Sequence, residues 1–335
     1  MNATHLLLLC LAGTAVLPAA DYRLTGPHTV DHATVYLVHS TQPQPAGAGA
    51  GRKYLPLKEA LAQHKVAVYE TGNVNELAIE NLSADTDVFI HSGDIVKGGQ
   101  QDRVFSTDLI LPPRSGRTPV ESFCVEQGRW SRRGGEDAKS FSASDHAIVS
   151  KEVKLAIKGS KNQSEVWKSV AGMQDKLARS MSNANAGVAA PASPTSLQLS
   201  LENKAVNANT EKQTAALRKL LEGQADAIGY VFAVNGEIQS ADVYSSPALF
   251  AAVWPKQARA LAIETIAEKK MSASTPLTPG AALAFLSDAG AKPPQPTASP
   301  NNRTRVTKRD SAKVLFVESH DSASKSWVHR SYTAK

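Results

Sequence analysis

Cysteine is nearly absent from this chain of 335 residues, which contains only two, and the signature motifs of common enzyme classes are missing altogether. Two cysteines exclude a disulfide-stapled mini-domain and a cysteine-rich zinc module. The sequence has no GxGxxG, GxxxxGK[ST], GxSxG, HExxH or CxxC pattern, so it carries no signature of a dinucleotide, nucleotide, serine-hydrolase, zinc-protease or redox site. Hydrophobic residues make up 42% and charged residues 20%, the balance of a globular protein.

A strong charge of one sign is also lacking. The chain has 37 basic and 31 acidic residues, a formal net charge of +6. This mild excess permits a small anionic ligand without requiring one. A basic cluster near the C-terminus (Arg303, Arg305, Lys308 and Arg309) has no interleaved aromatic residues, so no nucleic-acid partner is predicted.

No apolar run is long enough to span a bilayer, so no transmembrane segment is predicted in the mature chain. Residues 6–17 form an apolar run of about a dozen residues, followed by small residues, which predicts a cleaved secretory signal over residues 1–20. A periplasmic or secreted protein follows, with Cys124 as its single thiol. A lipoprotein anchored through Cys10 is the less favoured alternative because Leu9, and not a small residue, precedes that cysteine.

The order of the predicted elements favours an α+β fold over a regular doubly wound sheet. Residues 28–130 contain several predicted strands, with turn signals between them. A helix is expected after Asn162, which begins a capping box with Glu165. Asn235-Gly236 between two apolar runs predicts a hairpin, and Ser246-Pro247 predicts a helix start.

The domain prediction assigns residues 21–290 to a main α+β domain, 291–302 to a proline-rich linker, and 303–335 to a C-terminal β-hairpin extension. Within the main domain, the polar segment 131–160 is expected to be a mobile loop. On the last two predicted strands, His320 and His329 would meet only if the hairpin brings them opposite each other. No metal site and no cofactor are predicted.

Polar and reactive residues concentrate between Gly93 and Trp130. In a strand, Cys124 and Glu126 would share one face about 7 Å apart. They are the catalytic candidates, with Glu126 as general acid or base and Cys124 as nucleophile. A carboxylate raises the pKa of a neighbouring thiol, so this nucleophile would need a nearby arginine.

The same region supplies the predicted ligand-binding residues. A Gly-Gly pair allows backbone N–H groups to approach a ligand, arginine suits a phosphate or carboxylate, and tryptophan offers a stacking face. Each residue also has a purely structural interpretation, as a buried thiol, an ion pair, a turn or a packing contact. The predicted ligand-binding set is Gly98, Gly99, Gln101, Arg103, Arg129 and Trp130.

These motifs resemble the ADP-ribosylglycohydrolase and rhodanese-phosphatase superfamily-associated protein domain. The segment from Gly93 to Arg103 is similar to the family's GEELxGxKQNR, except that Gln100 stands where the family often has Lys and Asp102 where it has Asn. CVEQGRW at 124–130 is similar to the family's CVExGRW. The resemblance covers about residues 30–270. It implies a link to NAD and ADP-ribose metabolism through gene association, and no established activity.

Three functions remain open at this point. The first is a binding module for an anionic, ADP-ribose-like or nucleotide-like ligand at the Gly93–Trp130 region. The second is an enzyme of hydrolase or transferase type that uses Glu126, Cys124 or both. The third is a structural or partner-binding exported protein in which the motif is part of the folding core.

Overall fold

The fold is built on an antiparallel sheet of eight strands that joins the N-terminal and C-terminal parts of the chain. The computed structural model describes residues 21–42, 53–148, 150–181, 187–270, 275–288, 293–297 and 301–335, so the predicted signal segment lies outside the described residues. In spatial order the eight strands are β1 (Tyr22–Val30), β2 (Ala33–Ser40), β12 (Ala227–Val234), β13 (Glu237–Tyr244), β17 (Ser326–Ala334), β16 (Val314–Asp321), β15 (Thr304–Asp310) and β14 (Gln295–Pro296).

Two smaller sheets hold the region that the sequence singles out. The six-stranded sheet is antiparallel, whereas β3 and β6 of the three-stranded sheet run parallel. The six strands are β11 (Phe141–Ala147), β7 (Asp94–Gly98), β8 (Arg103–Phe105), β10 (Thr118–Cys124), β5 (Glu76–Asn81) and β4 (Val66–Glu70). The three strands are β3 (Tyr54–Pro56), β6 (Asp87–Ile90) and β9 (Leu109–Leu111).

Seven α-helices complete the described part of the chain, which is mixed α+β as predicted, with 31% helix and 36% strand. None of the described helices combines the length and apolar character needed to cross a membrane. The helices are α1 (Leu57–Ala62), α2 (Lys151–Leu155), α3 (Gln163–Ser180), α4 (Leu197–Leu201), α5 (Lys204–Arg218), α6 (Pro247–Glu268) and α7 (Pro279–Asp288), with a π-helix at Ala156–Ser160 and a 3₁₀ turn at Lys219–Leu221.

The helix caps and the hairpin turn predicted from local sequence signals are present in the structure. The side chain of Asn162 caps α3 by accepting from the backbone N–H groups of Ser164 and Glu165. Asn235 and Gly236 have φ of 49° and 77°, as a type I′ hairpin turn requires, and join β12 to β13. Ser246 caps α6, and the proline after it stands in the first turn.

The prediction of a mobile loop at 131–160 is wrong for the second half of that segment. Residues 141–147 form β11, which pairs with β7, and residues 151–160 form α2 and the π-helix. The segment 303–335 carries three strands instead of two. The last of them, β17, is hydrogen bonded to β13 in the middle of the eight-stranded sheet.

The three-stranded sheet packs against the middle of the large sheet. Phe89 of β6 and Ile110 of β9 belong to the same buried apolar cluster as Tyr244 of β13 and Phe250 of α6. The loop after β6 and the residue before β9 therefore reach the face of β13 and β17. This junction brings together polar residues from distant parts of the chain.

Candidate functional site

Glu126 lies at the centre of a buried ion-pair network. Its Oε1 accepts from Nε of Arg129 at 2.7 Å and from Arg133 at 3.2 Å, and its Oε2 accepts from the backbone N–H of Asp102 at 3.0 Å. Asp102 in turn accepts two bonds from Arg133, at 2.8 and 2.9 Å, and one from Ser196. We call Asp102, Glu126, Arg129 and Arg133 the motif network.

The hydrogen-bond donors around Glu126 keep its carboxyl group ionised. Burial alone would raise the pKa of its carboxyl, but the hydrogen bonds from Arg129 and its other donors lower that pKa below its usual range. The side chain is fully buried. A carboxylate held in this way is a poor general acid at neutral pH, and its oxygens are already occupied by protein donors.

Cys124 is the last residue of β10 and is also fully buried. Arg103, its partner on β8, donates to Sγ at 2.7 Å and to Glu70 at 3.1 Å, so the cation that the sequence analysis required is present. Burial nevertheless dominates and raises the pKa of the thiol to about 11. At neutral pH the group is therefore a protonated thiol, which is a weak nucleophile.

The glycines and the glutamine of the motif bond to protein groups. The N–H of Gly98 donates to Asp102, and that of Gly99 donates to the carbonyls of Asp137 and Ser140. The side chain of Gln101 donates to the carbonyl of Glu126 at 2.8 Å. The carbonyls of Gly98 and Gly99 accept from Arg129.

Trp130 is the exposed member of the predicted set, with 46% of its surface accessible. The guanidinium carbon of Arg103 lies 5.5 Å from the centre of its ring, at cation–π distance. Three cavities stand out in the described part of the chain, and none is lined by a predicted catalytic or ligand-binding residue. The structure therefore brings the motif residues together, but in packed protein.

Two connected cavities lie instead beside α1 and α6. The outer groove has a volume of about 770 Å³ and runs along β3 to Arg303. The inner chamber has a volume of about 40 Å³ and reaches His91 and Asp94. Three residues, Pro56, Glu59 and Ala252, line both cavities. The chamber and the groove therefore adjoin each other. The third cavity, of about 850 Å³, lies between α3 and the π-helix.

Two buried polar atoms around the chamber lack a hydrogen-bond partner among the described residues. They are Oε2 of Glu59 and Nδ1 of His91. His91 follows β6, and its backbone N–H donates to Asp94, whose other oxygen accepts from Lys256 at 2.6 Å. Its Nε2 lies 3.0 Å from the hydroxyl of Tyr244. Unpartnered buried polar atoms are costly, so each requires an explanation such as a bound water, an ion or a ligand.

A second buried histidine, His329, lies next to His91. The ring centres of His91 and His329 are 4.6 Å apart, and His329 is held between Asp108 at 2.8 Å from Nδ1 and Asp242 at 3.1 Å from Nε2. We call His91, Asp108, Asp242 and His329 the histidine cluster. All four are at least nine-tenths buried.

The histidines titrate in opposite directions. Burial lowers the pKa of His329, but the attraction and hydrogen bonds of Asp108 and Asp242 outweigh it and raise that pKa to about 9. Burial and the positive charge of His329 lower the pKa of His91 to about 4. Opposite shifts in adjacent groups are characteristic of functional sites.

Sequence reasoning missed most of this cluster. His320 and His329 do not face each other, because Ser319 pairs with His329 and a bulge follows it; His320 bonds to Glu318 instead. His91 had a weak signal, since it ends a predicted strand and precedes a turn. Arg133 lies in the segment predicted to be a mobile loop, yet it is buried in the motif network.

Comparison with known proteins supports the resemblance seen in the motifs. The search of curated proteins found no match, and the search of solved structures found none either. One family model, described as the ARG and Rhodanese-Phosphatase-superfamily-associated Protein domain, matches residues 21–333, a wider span than the motifs alone cover. Since this match takes in nearly the whole chain, the protein belongs to the ARPP-1 family.

Proposed function

We propose that this protein is an enzyme of hydrolase type that acts on a small polar molecule bound in the outer groove, with the reacting bond in the inner chamber. One observation carries the proposal. The chamber is lined by two residues with unpartnered buried atoms, Glu59 and His91, and the histidine cluster lies directly behind it. A concave site with convergent polar groups and shifted pKa values is the usual setting of catalysis.

The size of the chamber suits water. A volume of about 40 Å³ exceeds the roughly 10–15 Å³ that one water molecule needs, so the chamber can hold water. The free carboxylate oxygen of Glu59 would accept a proton from that water while the water oxygen bonds to the electrophilic atom of the substrate. The bond to the leaving group then breaks, and Glu59 returns the proton to it.

The charges around the groove do not select an anion. Four cationic and four carboxylate side chains line the groove and the chamber together. They are Lys53, Lys58, Lys256 and Arg303, and Glu59, Asp85, Asp87 and Asp94. Several already pair with each other or with neighbours, such as Lys256 with Asp94. We therefore infer a polar substrate without a strong net charge.

The binding of an anion at the Gly93–Trp130 region has less support from the geometry. Arg129 and Arg133 bind Glu126 and Asp102, Arg103 binds Glu70, and none of the three cavities described above is lined by these residues. A ligand there would have to displace buried ion pairs, which costs several kcal/mol. Their contacts support a structural role instead, since Arg103 of β8 also bonds to Cys124, its partner on β10.

A fragment screen tests the proposed site. Ligand-observed NMR with a library of esters, amides, phosphates, nucleosides and sugars is run on the wild type and on Ala252→Trp, which places an indole where the groove and the chamber meet. Ala251→Trp is the matched control, because Ala251 is equally exposed on α6 and lines neither cavity.

We expect fragments that bind the wild type and the control but not Ala252→Trp. Fragments that bind are then tested for turnover with Glu59→Gln, which should abolish it. The proposal fails if no fragment binds, if binding survives in Ala252→Trp, or if no bound fragment is turned over.

A further inference from the structure

We infer that His91, Asp242 and His329 form a binding site for a divalent transition metal of the zinc type. One donor atom from each of the three residues lies within 4.8 Å of the others. The three side chains come from separate elements: the end of β6, β13 and β17. Two imidazoles and one carboxylate are a common ligand set for zinc and for related first-row metals.

The groups around the three residues are those that a metal site requires. In metal sites the second atom of a ligand is usually fixed by a neighbouring hydrogen-bond partner. Here Asp108 holds Nδ1 of His329 at 2.8 Å, and the hydroxyl of Tyr244 lies 3.0 Å from Nε2 of His91. The hydroxyl of Tyr230 donates to Oδ2 of Asp242 at 2.5 Å.

With these partners in place, we take Nε2 of His329, Oδ1 of Asp242 and Nδ1 of His91 as the metal donors. Nε2 of His329 lies 3.1 Å from Oδ1 of Asp242. Two ligands at about 2.0–2.1 Å from one tetrahedral metal are about 3.3 Å apart, so the pair needs little movement. Nδ1 of His91 is the third donor, and it has no hydrogen-bond partner among the described residues. A metal would satisfy that atom.

We infer that a metal would reach the site from the inner chamber, because His91 is the ligand that lines it. A metal bound to His91 would then lie next to a space large enough for water. Three protein ligands and one open position are the pattern of catalytic zinc sites. In this respect the inference rests on the proposed function, because it names the cofactor that would polarise the water next to Glu59.

The alternative is a metal-free ion cluster. A protonated His329 would bridge Asp108 and Asp242, and the buried ammonium of Lys158, which donates to Ser331 at 2.8 Å, would add a second positive charge near Asp242. That arrangement explains the surroundings of His329. It leaves the unpartnered Nδ1 of His91 unexplained, and for this reason we favour the metal.

Metal binding can be measured directly on the full chain. Chelator-treated protein is titrated with Co²⁺, whose visible absorption reports its ligands, and with Zn²⁺, whose bound amount is measured by mass spectrometry after dialysis. We expect one ion per chain. His91→Ala should weaken binding about 100-fold or more, and Tyr244→Phe, which removes only the hydroxyl, about 10–100-fold.

His320→Gln is the matched control, because His320 is a partly exposed histidine on β16 outside the cluster, and it should bind as the wild type does. Circular dichroism confirms that each variant is folded. If His91→Ala does not fold, the metal affinity of Tyr244→Phe decides whether the inference stands. A wild type that binds no metal, or variants that bind it unchanged, would overturn the inference.

The metal titration and the fragment screen test the two proposals independently. Ala252→Trp fills the groove without touching the three ligands, so it should lose fragments and keep metal. Metal bound without any fragment hit would refute the proposed function alone. Fragments bound and turned over without metal would refute the metal site alone.

Discussion

Two buried clusters of charged side chains differ in how completely their polar atoms are partnered. In the motif network, every oxygen and nitrogen of the side chains of Asp102, Glu126, Arg129 and Arg133 has a protein partner, and no described cavity touches them. In the histidine cluster, Nδ1 of His91 lacks a partner among the described residues and lies beside a chamber. A fully partnered network stabilises a fold, whereas an unpartnered group next to a cavity can bind something else.

The comparison also corrects a natural expectation about motifs. CVEQGRW, the segment on which the motif resemblance rests most closely, belongs to the better bonded of the two regions. Arg129 and Arg133 of the motif network neutralise buried carboxylates and hold loops to strands. The proposed chemistry lies with residues that belong to no recognisable motif, because they are far apart in the sequence.

The largest expected effect is on the stability of the motif network. Glu126→Gln leaves Arg129 and Arg133 without one of their carboxylates in a buried site, which should cost about 3–5 kcal/mol of unfolding free energy. Urea unfolding followed by circular dichroism measures it. Glu237→Gln, which breaks an exposed pair with Lys270, should cost about 0–1 kcal/mol. Equal costs would remove the structural role assigned to the network.

The second effect concerns the reactivity of Cys124. Burial raises the pKa of the Cys124 thiol to about 11, so very little thiolate is present at neutral pH, and burial also slows access of the reagent. Iodoacetamide should leave native protein unlabelled while modifying urea-unfolded protein, as measured by intact mass. Rapid labelling of the native thiol would restore Cys124 as a nucleophile and reverse the comparison.

A glycine substitution tests how tightly the motif is packed. Gly99 has φ of 55°, and a Cβ there would lie 2.3 Å from Cζ of Phe141, so Gly99→Ala should cost about 2–4 kcal/mol through strain and overpacking. Gly116 has φ of 65° with nothing near its Cβ position. Gly116→Ala should therefore cost only about 1 kcal/mol, and urea unfolding measures both variants. A similar loss in both variants would show that packing at Gly99 is loose.

The smallest effect is a pH dependence at the wall of the outer groove. Asp321 accepts from Arg303 and Tyr54; although burial opposes it, these bonds lower the pKa of its carboxyl to about 2. The folded pKa is below the unfolded one, so the stabilisation is present above pH 4 and is lost as the pH falls toward 2. With allowance for solvent screening it amounts to about 1 kcal/mol. Asp321→Asn should flatten this part of the curve of stability against pH, and an unchanged slope would contradict the assignment.

The sequence by itself determined the elements whose signals are local. The α+β class, the hairpin at Asn235-Gly236 and the helices capped by Asn162 and Ser246 follow from caps, turns and periodicity within a few residues. The grouping of Glu126 with Arg129 could also be predicted, because the two residues are only three positions apart. The ionised state of Glu126 and the inert state of Cys124 were not, because burial decides both.

Only the tertiary structure decided which residues share a site. β11 escaped detection because its exposed polar residues hide a strand that exists through pairing with β7. Asp108 and His329 are separated by 221 residues, and they meet because the three-stranded sheet packs on β13 and β17. Local patterns carry no information about such contacts, since they depend on how buried faces of distant strands pack together.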